Sequence, residues 1–212
     1  MGISNVIDST NLKSEAGEGD IKAICLEARE YGVRGVCVNS RWVKTAKELL
    51  KNTGIKVVSV IDFPLGASLS KVRLFQAKQA KEDGADELDI VMNIGALKSG
   101  LDADILKDLG RVSEILSTKV IIETGLLSDQ EIQRAAQLVK KSRAFCVKTS
   151  TGFVANTDIE TKARHIKLIK EAVPDIKIKA SGGIKTRQDA ETLIACGADI
   201  IGTSSAVQII KS

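Results

Sequence analysis

Short runs of β-branched and aliphatic residues alternate along this chain with longer segments in which apolar residues recur every three or four positions. The runs predict strands over residues 5–8, 33–39, 55–63, 85–92, 119–123, 144–149, 176–180 and 199–203. The intervening periodicity predicts helices. The first covers 20–31 with Asp20 as its N-cap, and the second carries Val43, Ala46 and Leu50 on one face. A third runs over about 70–83 and is closed by Gly84, and a fourth runs from the polar loop around Ser99 and Gly100 to about Leu116. The next opens at Ser128 with Glu131 three residues on, a capping box, and aligns Ile132, Ala135, Ala136 and Val139. Thr157 or Asp158 caps the helix bearing Ile159, Ala163, Ile166 and Ile169, which ends near Pro174. Ala190, Leu193, Ile194 and Gly197 mark another, and a last one starts at about Ser205.

Eight strand-helix units in unbroken series, with no composition shift and no Pro/Ser-rich linker, predict a single closed (β/α)8 TIM barrel and one domain over residues 1–212. A doubly wound open sheet is the other architecture of this rhythm. It usually has fewer strands, and the first strand here lacks the GxGxxG turn. In so short a barrel the site must be built from strand ends and short loops.

Composition narrows the function. Apolar residues make up 43% of the 212, enough for a sizeable core. The net charge of +4 comes from 31 basic and 27 acidic residues mixed along the chain, without a basic stripe, and aromatics make up only 3%. Neither the electrostatic footprint nor the stacking platforms of a nucleic-acid binder are present. The first twenty residues are too charged for a signal peptide and no run reaches membrane-spanning length, so a cytoplasmic protein without membrane contact is expected. Cys25, Cys37, Cys146 and Cys196 are widely spaced within apolar patterns and read as buried reduced thiols. The one histidine, His165, reads as a solvated helix residue, so a His-based triad has no support and no metal or other cofactor is expected.

The phase of the polar residues locates the chemistry. Side chains alternate faces along a strand, and in a parallel barrel one face meets the helices while the other fills the interior. Leu88, Ile90 and Met92 oppose Glu87, Asp89 and Val91; Phe145 and Val147 oppose Cys146 and Lys148; Ile176 and Ile178 oppose Lys177 and Lys179. Glu123 shares phase with Ile121, Asn39 with Cys37, and Asp8 with Val6. Asp8, Asn39, Asp89, Glu123, Lys148 and Lys179 are therefore predicted to point inward near the carboxyl ends of their strands, where barrel enzymes keep their chemistry. Buried charges cost several kcal/mol each even after relaxation, so such a set asks for a functional reason.

A lysine becomes nucleophilic when desolvation or a neighbouring ammonium favours its neutral form. Lys148 and Lys179 fit as such a pair. A Schiff base on one of them turns a carbonyl carbon into an electron sink, so that an adjacent carbon–carbon bond is made or broken without a metal, with a carboxylate such as Asp89 moving protons. After the seventh strand comes Ser181-Gly182-Gly183-Ile184, and after the eighth Gly202-Thr203-Ser204-Ser205. These are the loops that usually hold phosphate in barrels, and Thr151-Gly152 after the sixth strand adds donors.

Val147-Lys148-Thr149-Ser150-Thr151-Gly152-Phe153, Lys179-Ala180-Ser181-Gly182-Gly183-Ile184 and Ile201-Gly202-Thr203-Ser204-Ser205 together resemble the signature segments of deoxyribose-phosphate aldolases. The likeness continues through Ile7-Asp8-Ser9-Thr10, Val36-Cys37-Val38-Asn39, Glu87 to Leu97 and Lys119 to Thr124, nearly the whole chain. The resemblance implies a (β/α)8 barrel that cleaves 2-deoxy-D-ribose 5-phosphate reversibly to D-glyceraldehyde 3-phosphate and acetaldehyde without a metal. It implies that Lys148 forms the Schiff base, that Lys179 makes Lys148 easier to deprotonate, and that Asp89 relays protons through a water. Gly152, Gly182, Gly183, Ser204 and Ser205 would hold the phosphate, Thr151 would join them, and Asp8 and Cys37 would lie near the substrate. A homodimer or homotetramer is implied too.

The sequence departs from that pattern in two places. Ser9 and Asn11 stand where the family more often has His and Leu, and Phe153 stands where some members carry a lysine near the phosphate. The tail tyrosine of some members is also missing, Tyr31 being the only tyrosine. Two other readings share the lysines or the loops: another Schiff-base phosphosugar barrel, such as a transaldolase-like or keto-acid aldolase, and a barrel that binds a phosphometabolite without turning it over.

Overall fold

The computed structural model describes residues 2–154 and 157–212. Eight parallel strands close into a barrel in sequence order: β1 (Ile7–Asn11), β2 (Gly35–Val38), β3 (Lys56–Ile61), β4 (Glu87–Val91), β5 (Thr118–Ile121), β6 (Cys146–Lys148), β7 (Lys177–Ser181) and β8 (Ile200–Thr203), with β8 pairing back onto β1. Around it run α1 (Glu18–Tyr31), α2 (Val43–Leu49), α3 (Ser70–Glu82), α4 (Ile94–Lys98), α5 (Asp102–Ser113), α6 (Asp129–Lys141), α7 (Ile159–Ala172), α8 (Arg187–Ala195) and α9 (Ala206–Lys211). The expected (β/α)8 TIM barrel is thus the observed fold. Among the described residues no helix is long and apolar enough to cross a membrane.

The main core lies between barrel and helices, where outward strand residues such as Val36, Leu88, Ile90, Val120, Val147, Ile178 and Ile201 meet helical faces including Ile21, Ala77, Ile132, Ile166 and Leu193. The barrel interior is divided. Beside β2 and β3 it is apolar, with Cys37, Val58 and Val60 packed together with Leu12 from beyond the end of β1, and Phe63 against them. The remainder carries buried charge.

Several local expectations hold. Ser128 and Glu131 exchange the bonds of a capping box at the start of α6, and Asp158 caps α7 by accepting from the Thr161 amide at 2.7 Å. Others are corrected. Gly17, not Asp20, is the N-cap of α1; Asp20 stands three residues into the cap and its carboxylate accepts from the Gly17 amide at 2.8 Å. The first strand begins at Ile7 and runs through Ser9, Thr10 and Asn11, because pairing with both β2 and β8 outweighs the weak strand preference of polar residues. Residues 94–98, left without an element by periodicity, form α4, capped by Asn93 Oδ1 on the Ala96 amide. β5 ends before Glu123, whose left-handed backbone (φ 50°) turns the chain away. His165, expected in solvent, is buried on α7, and burial pushes its imidazole below its ordinary pKa. Cys196 is half-buried, while Cys25, Cys37 and Cys146 are buried, and all four are free thiols.

Candidate active site

Register brings the charged residues together. Lys148 on β6 and Lys179 on β7 are paired across the strands, as are Asp89 on β4 and Lys119 on β5. Inside the barrel Asp89 is shared: its Oδ2 accepts from Lys148 Nζ at 2.8 Å and from Lys179 Nζ at 2.9 Å, and its Oδ1 accepts from Lys119 Nζ at 2.9 Å. Lys179 Nζ also donates to Asp8 Oδ2 at 2.6 Å. Lys119 Nζ meets Glu87 at 2.7 Å, and Arg34 closes the lower end on Asp8 at 2.8 Å and Glu87 at 2.6 Å. A chain of ion contacts therefore runs from the amino-terminal side of the barrel up to Lys148.

The protonation states follow from this packing. Burial alone would raise the Asp89 carboxyl, but the ammoniums of Lys119, Lys148 and Lys179 outweigh it and hold Asp89 well below the usual carboxylate range. Asp8 is likewise raised by burial yet brought down to about 2 by Lys179, Lys119 and Arg34. Burial disfavours the charged form of Lys179, and Asp8 and Asp89 reverse that, so its pKa lies above the ordinary lysine value and it keeps its proton. Lys119 is raised in the same way, chiefly by Asp89 acting against burial. Burial pushes the Cys37 thiol up to about 11, so it stays protonated with its sulfur 3.9 Å from Asp89 Oδ2.

Above the cluster a cavity of about 670 Å³ opens at the carboxyl ends of the strands. Lys148 reaches it, and Thr151, Gly152, Gly182, Gly183, Ser204 and Ser205 line it. Gly182 and Gly183 have φ of 90° and 67°, which a residue with a Cβ rarely adopts, so the tight turn after β7 depends on them. The three loops are tied to one another. Ser181 Oγ donates to the Ser150 carbonyl at 2.6 Å, and Thr203 Oγ1 donates to the Ile184 carbonyl at 2.7 Å while accepting from the Ser205 amide. Gly202 makes room for the lysine beneath, since a Cβ there would stand 2.8 Å from Lys179 Cε.

Of the six residues predicted to point inward, Asp8, Asp89, Lys148 and Lys179 join one cluster. Glu123 and Asn39 stand apart: Glu123 accepts from both the amide and the hydroxyl of Thr151, and Asn39 is half-buried after β2. Asp8 and Cys37 are fully buried a layer below the cavity, beside Lys179 and Asp89 respectively, and neither lines it. Three members of the network, Lys119, Glu87 and Arg34, were not singled out by the sequence. The phase signal was available for two: Lys119 precedes Ile121 by two residues, and Glu87 precedes Asp89 by two.

A closed parallel barrel whose buried ionic cluster opens through one lysine into a cavity at the strands' carboxyl ends belongs to the barrel enzymes. The chain belongs to the DeoC/LacD family of aldolases, whose model matches residues 6–205. A deoxyribose-phosphate aldolase of Geobacillus sp. (strain WCH70) is 46% identical over 213 residues, covering 99% of this chain and 95% of that protein. Among solved structures, one described as "QR15, an Aldolase" superposes with a TM-score of 0.93 at 38% identity, covering 99% of this chain and 94% of that one. The deoxyribose phosphate aldolase of Aeropyrum pernix, described as a unique tetrameric structure, superposes with a TM-score of 0.88 at 34% identity, covering 99% and 90%.

Proposed function

We propose that this chain, as one catalytic domain over residues 1–212, is a class I aldolase that reversibly cleaves 2-deoxy-D-ribose 5-phosphate to D-glyceraldehyde 3-phosphate and acetaldehyde. The observation that carries the reading is the asymmetry of the two lysines. Lys179 is sealed between two carboxylates, whereas Lys148 shares one of them and opens onto the cavity. The neutral Nζ of Lys148 adds to the C1 aldehyde of the open-chain sugar, and water leaves to give an iminium. A proton leaves the C3 hydroxyl, the C2–C3 bond breaks, and its electron pair moves to C2 as an enamine while the C3 carbonyl of glyceraldehyde 3-phosphate forms. Protonation at C2 and hydrolysis by one water release acetaldehyde and restore the lysine. Asp89, in contact with the Nζ of both lysines, relays protons to and from Lys148 while Lys179 keeps its own. It acts through water where the substrate lies out of its reach.

The phosphate is placed against Gly152, Gly182, Gly183, Ser204 and Ser205, with Thr151 held by Glu123 to shape the β6 loop. The named relatives support the substrate, and the tetrameric description of the Aeropyrum pernix enzyme supports a homodimer or homotetramer here. Four free cysteines accord with the cytoplasmic location expected from the sequence. Borohydride reduction in the presence of acetaldehyde tests the reading: a mass adduct is expected on the peptide carrying Lys148. An adduct solely on Lys179, or none, overturns it, as does any cleavage of the deoxysugar phosphate by the Lys148→Ala variant.

A further inference from the structure

Among the described residues, the ion-contact network inside the barrel joins four cations, Arg34, Lys119, Lys148 and Lys179, to three carboxylates, Asp8, Glu87 and Asp89, which leaves one formal positive charge in excess. The lysines do not share the carboxylates equally. Lys119 meets Glu87, Asp89 and Asp8 at 2.7, 2.9 and 3.8 Å; Lys179 meets Asp8 and Asp89 at 2.6 and 2.9 Å; Lys148 meets Asp89 alone at 2.8 Å. Charges at such separations in a poorly solvated interior decide which group holds a proton.

We infer that Lys119 is a positioning residue for the reaction: locked on Glu87 and Asp89, it supplies the charge that makes the cluster one proton too rich and leaves Lys148 as the lysine that gives that proton up. The inference rests on the reading of Lys148 as the Schiff-base lysine. Lys119 itself is shut away from substrate. Its side chain is fully buried, its Nζ lies 5.6 Å from the centre of the Phe145 ring, and it faces Glu87 and Asp89 from β4, Asp8 from β1, Lys179 from β7 and the Cys146 thiol from β6. Around Lys148 stand Asp89 from β4, Lys179 from β7 and the Cys37 thiol from β2, while Glu123 beyond β5 is committed to Thr151. Without Lys119 three carboxylates would face three cations. Lys148 would then be needed to balance Asp89 and would hold its proton to higher pH. Without the Glu87 charge the excess would grow, and Lys148 would release its proton at lower pH.

The test is the rate of borohydride-trapped acetaldehyde adduct formation on the Lys148 peptide, followed against pH. In Lys119→Met the rising limb is expected at higher pH, with trapping at neutral pH slower by roughly tenfold or more, one pH unit of displacement being a factor of ten. In Glu87→Gln the limb is expected at lower pH, and in the double variant Lys119→Met/Glu87→Gln, which restores one excess charge, it is expected to return toward that of the unmodified enzyme. Displacement of both single variants in the same direction, or a double variant no nearer the parent than either, overturns the inference. If Lys119→Met does not fold, Glu87→Gln alone decides, and an undisplaced or upward-displaced limb is the overturning result. Failure of the underlying reading looks different: the unmodified enzyme forms no adduct on Lys148 at any pH.

Discussion

The Lys179 ammonium lies 2.6 Å from Oδ2 of Asp8, a residue 171 positions away that the closing of β8 onto β1 brings to its side. This contact, together with Asp89, fixes Lys179 as a permanent cation beneath Lys148. Replacing it by leucine removes that cation while leaving the carboxylates, so Lys148 and Lys119 alone are left to balance Asp89. The pH optimum of Lys179→Leu is therefore expected to move upward and the neutral-pH kcat to fall by about a hundredfold or more. Breaking a buried pair also costs roughly 3–5 kcal/mol of stability, which a urea titration reads independently. A variant that kept its neutral-pH rate would remove Lys179 from the mechanism.

The same contact has a signature in acid unfolding. Asp8 is held at about 2 in the folded chain against an ordinary 3.8, with Lys179, Lys119 and Arg34 overcoming the effect of burial. A carboxyl depressed on folding contributes stability that is fully present above its unfolded value and is lost as pH falls through its folded value. The window is therefore between about pH 4 and about pH 2, and the contribution is roughly 2 kcal/mol. Urea midpoints measured across this window are expected to fall less steeply in Asp8→Asn than in the parent chain. Equal slopes would show that Asp8 titrates alike in the folded and unfolded states.

The fold and the centre of the site were legible in the sequence for the same reason. Strand phase needs only local alternation, and it separated Lys148, Lys179 and Asp89 from the apolar faces of their strands. Lys119 escaped because it stands at the start of its strand, where a lysine ordinarily reaches solvent at the barrel's rim. Only the pairing of Asp89 with Lys119 shows that this rung is sealed. Arg34 was hidden because a strand over 33–39 puts it in phase with Val36, on the face that meets the helices; β2 begins only at Gly35, and Arg34 before it turns to Asp8 of β1 and Glu87 of β4. His165 is hidden by its charged neighbours on α7, although it stands next to Ile166 and three residues after Lys162, both buried with it. α4 is too short for a period to register, and its cap, Asn93, looks like any loop asparagine.

Gly202 tests how closely the site is packed. It lies on β8 beside Ser181, and a Cβ built there would come within 2.8 Å of Lys179 Cε and 3.2 Å of Ser181 Cβ. Gly202→Ala must displace the lysine that it crowds or spread β7 from β8. A displacement of about an ångström at a catalytic group costs on the order of a hundredfold in rate. The expected outcome is a loss of that size in kcat/KM with the circular dichroism spectrum preserved. An unchanged kcat/KM would mean that the contact is relieved without moving Lys179.

Phe153 offers a way to separate phosphate affinity from chemistry. Its ring is largely exposed, follows Gly152 in the cavity wall, and meets Phe63 edge-on at 5.2 Å and 88°. In Phe153→Lys an ammonium takes the place of that ring beside loops offering a phosphate glycine backbone and serine hydroxyls. An exposed charge contact is worth up to about 1 kcal/mol, so KM for the deoxysugar phosphate is expected to fall by roughly fivefold and the gain to shrink with added salt. Loss of the aromatic contact with Phe63, worth about 0.5–1.5 kcal/mol, acts on the β6 loop whatever the substrate carries. Unphosphorylated 2-deoxyribose therefore serves as the control, with no fall in KM expected. An equal change in KM for both sugars would assign the effect to the Phe63 contact and place the phosphate elsewhere in the cavity.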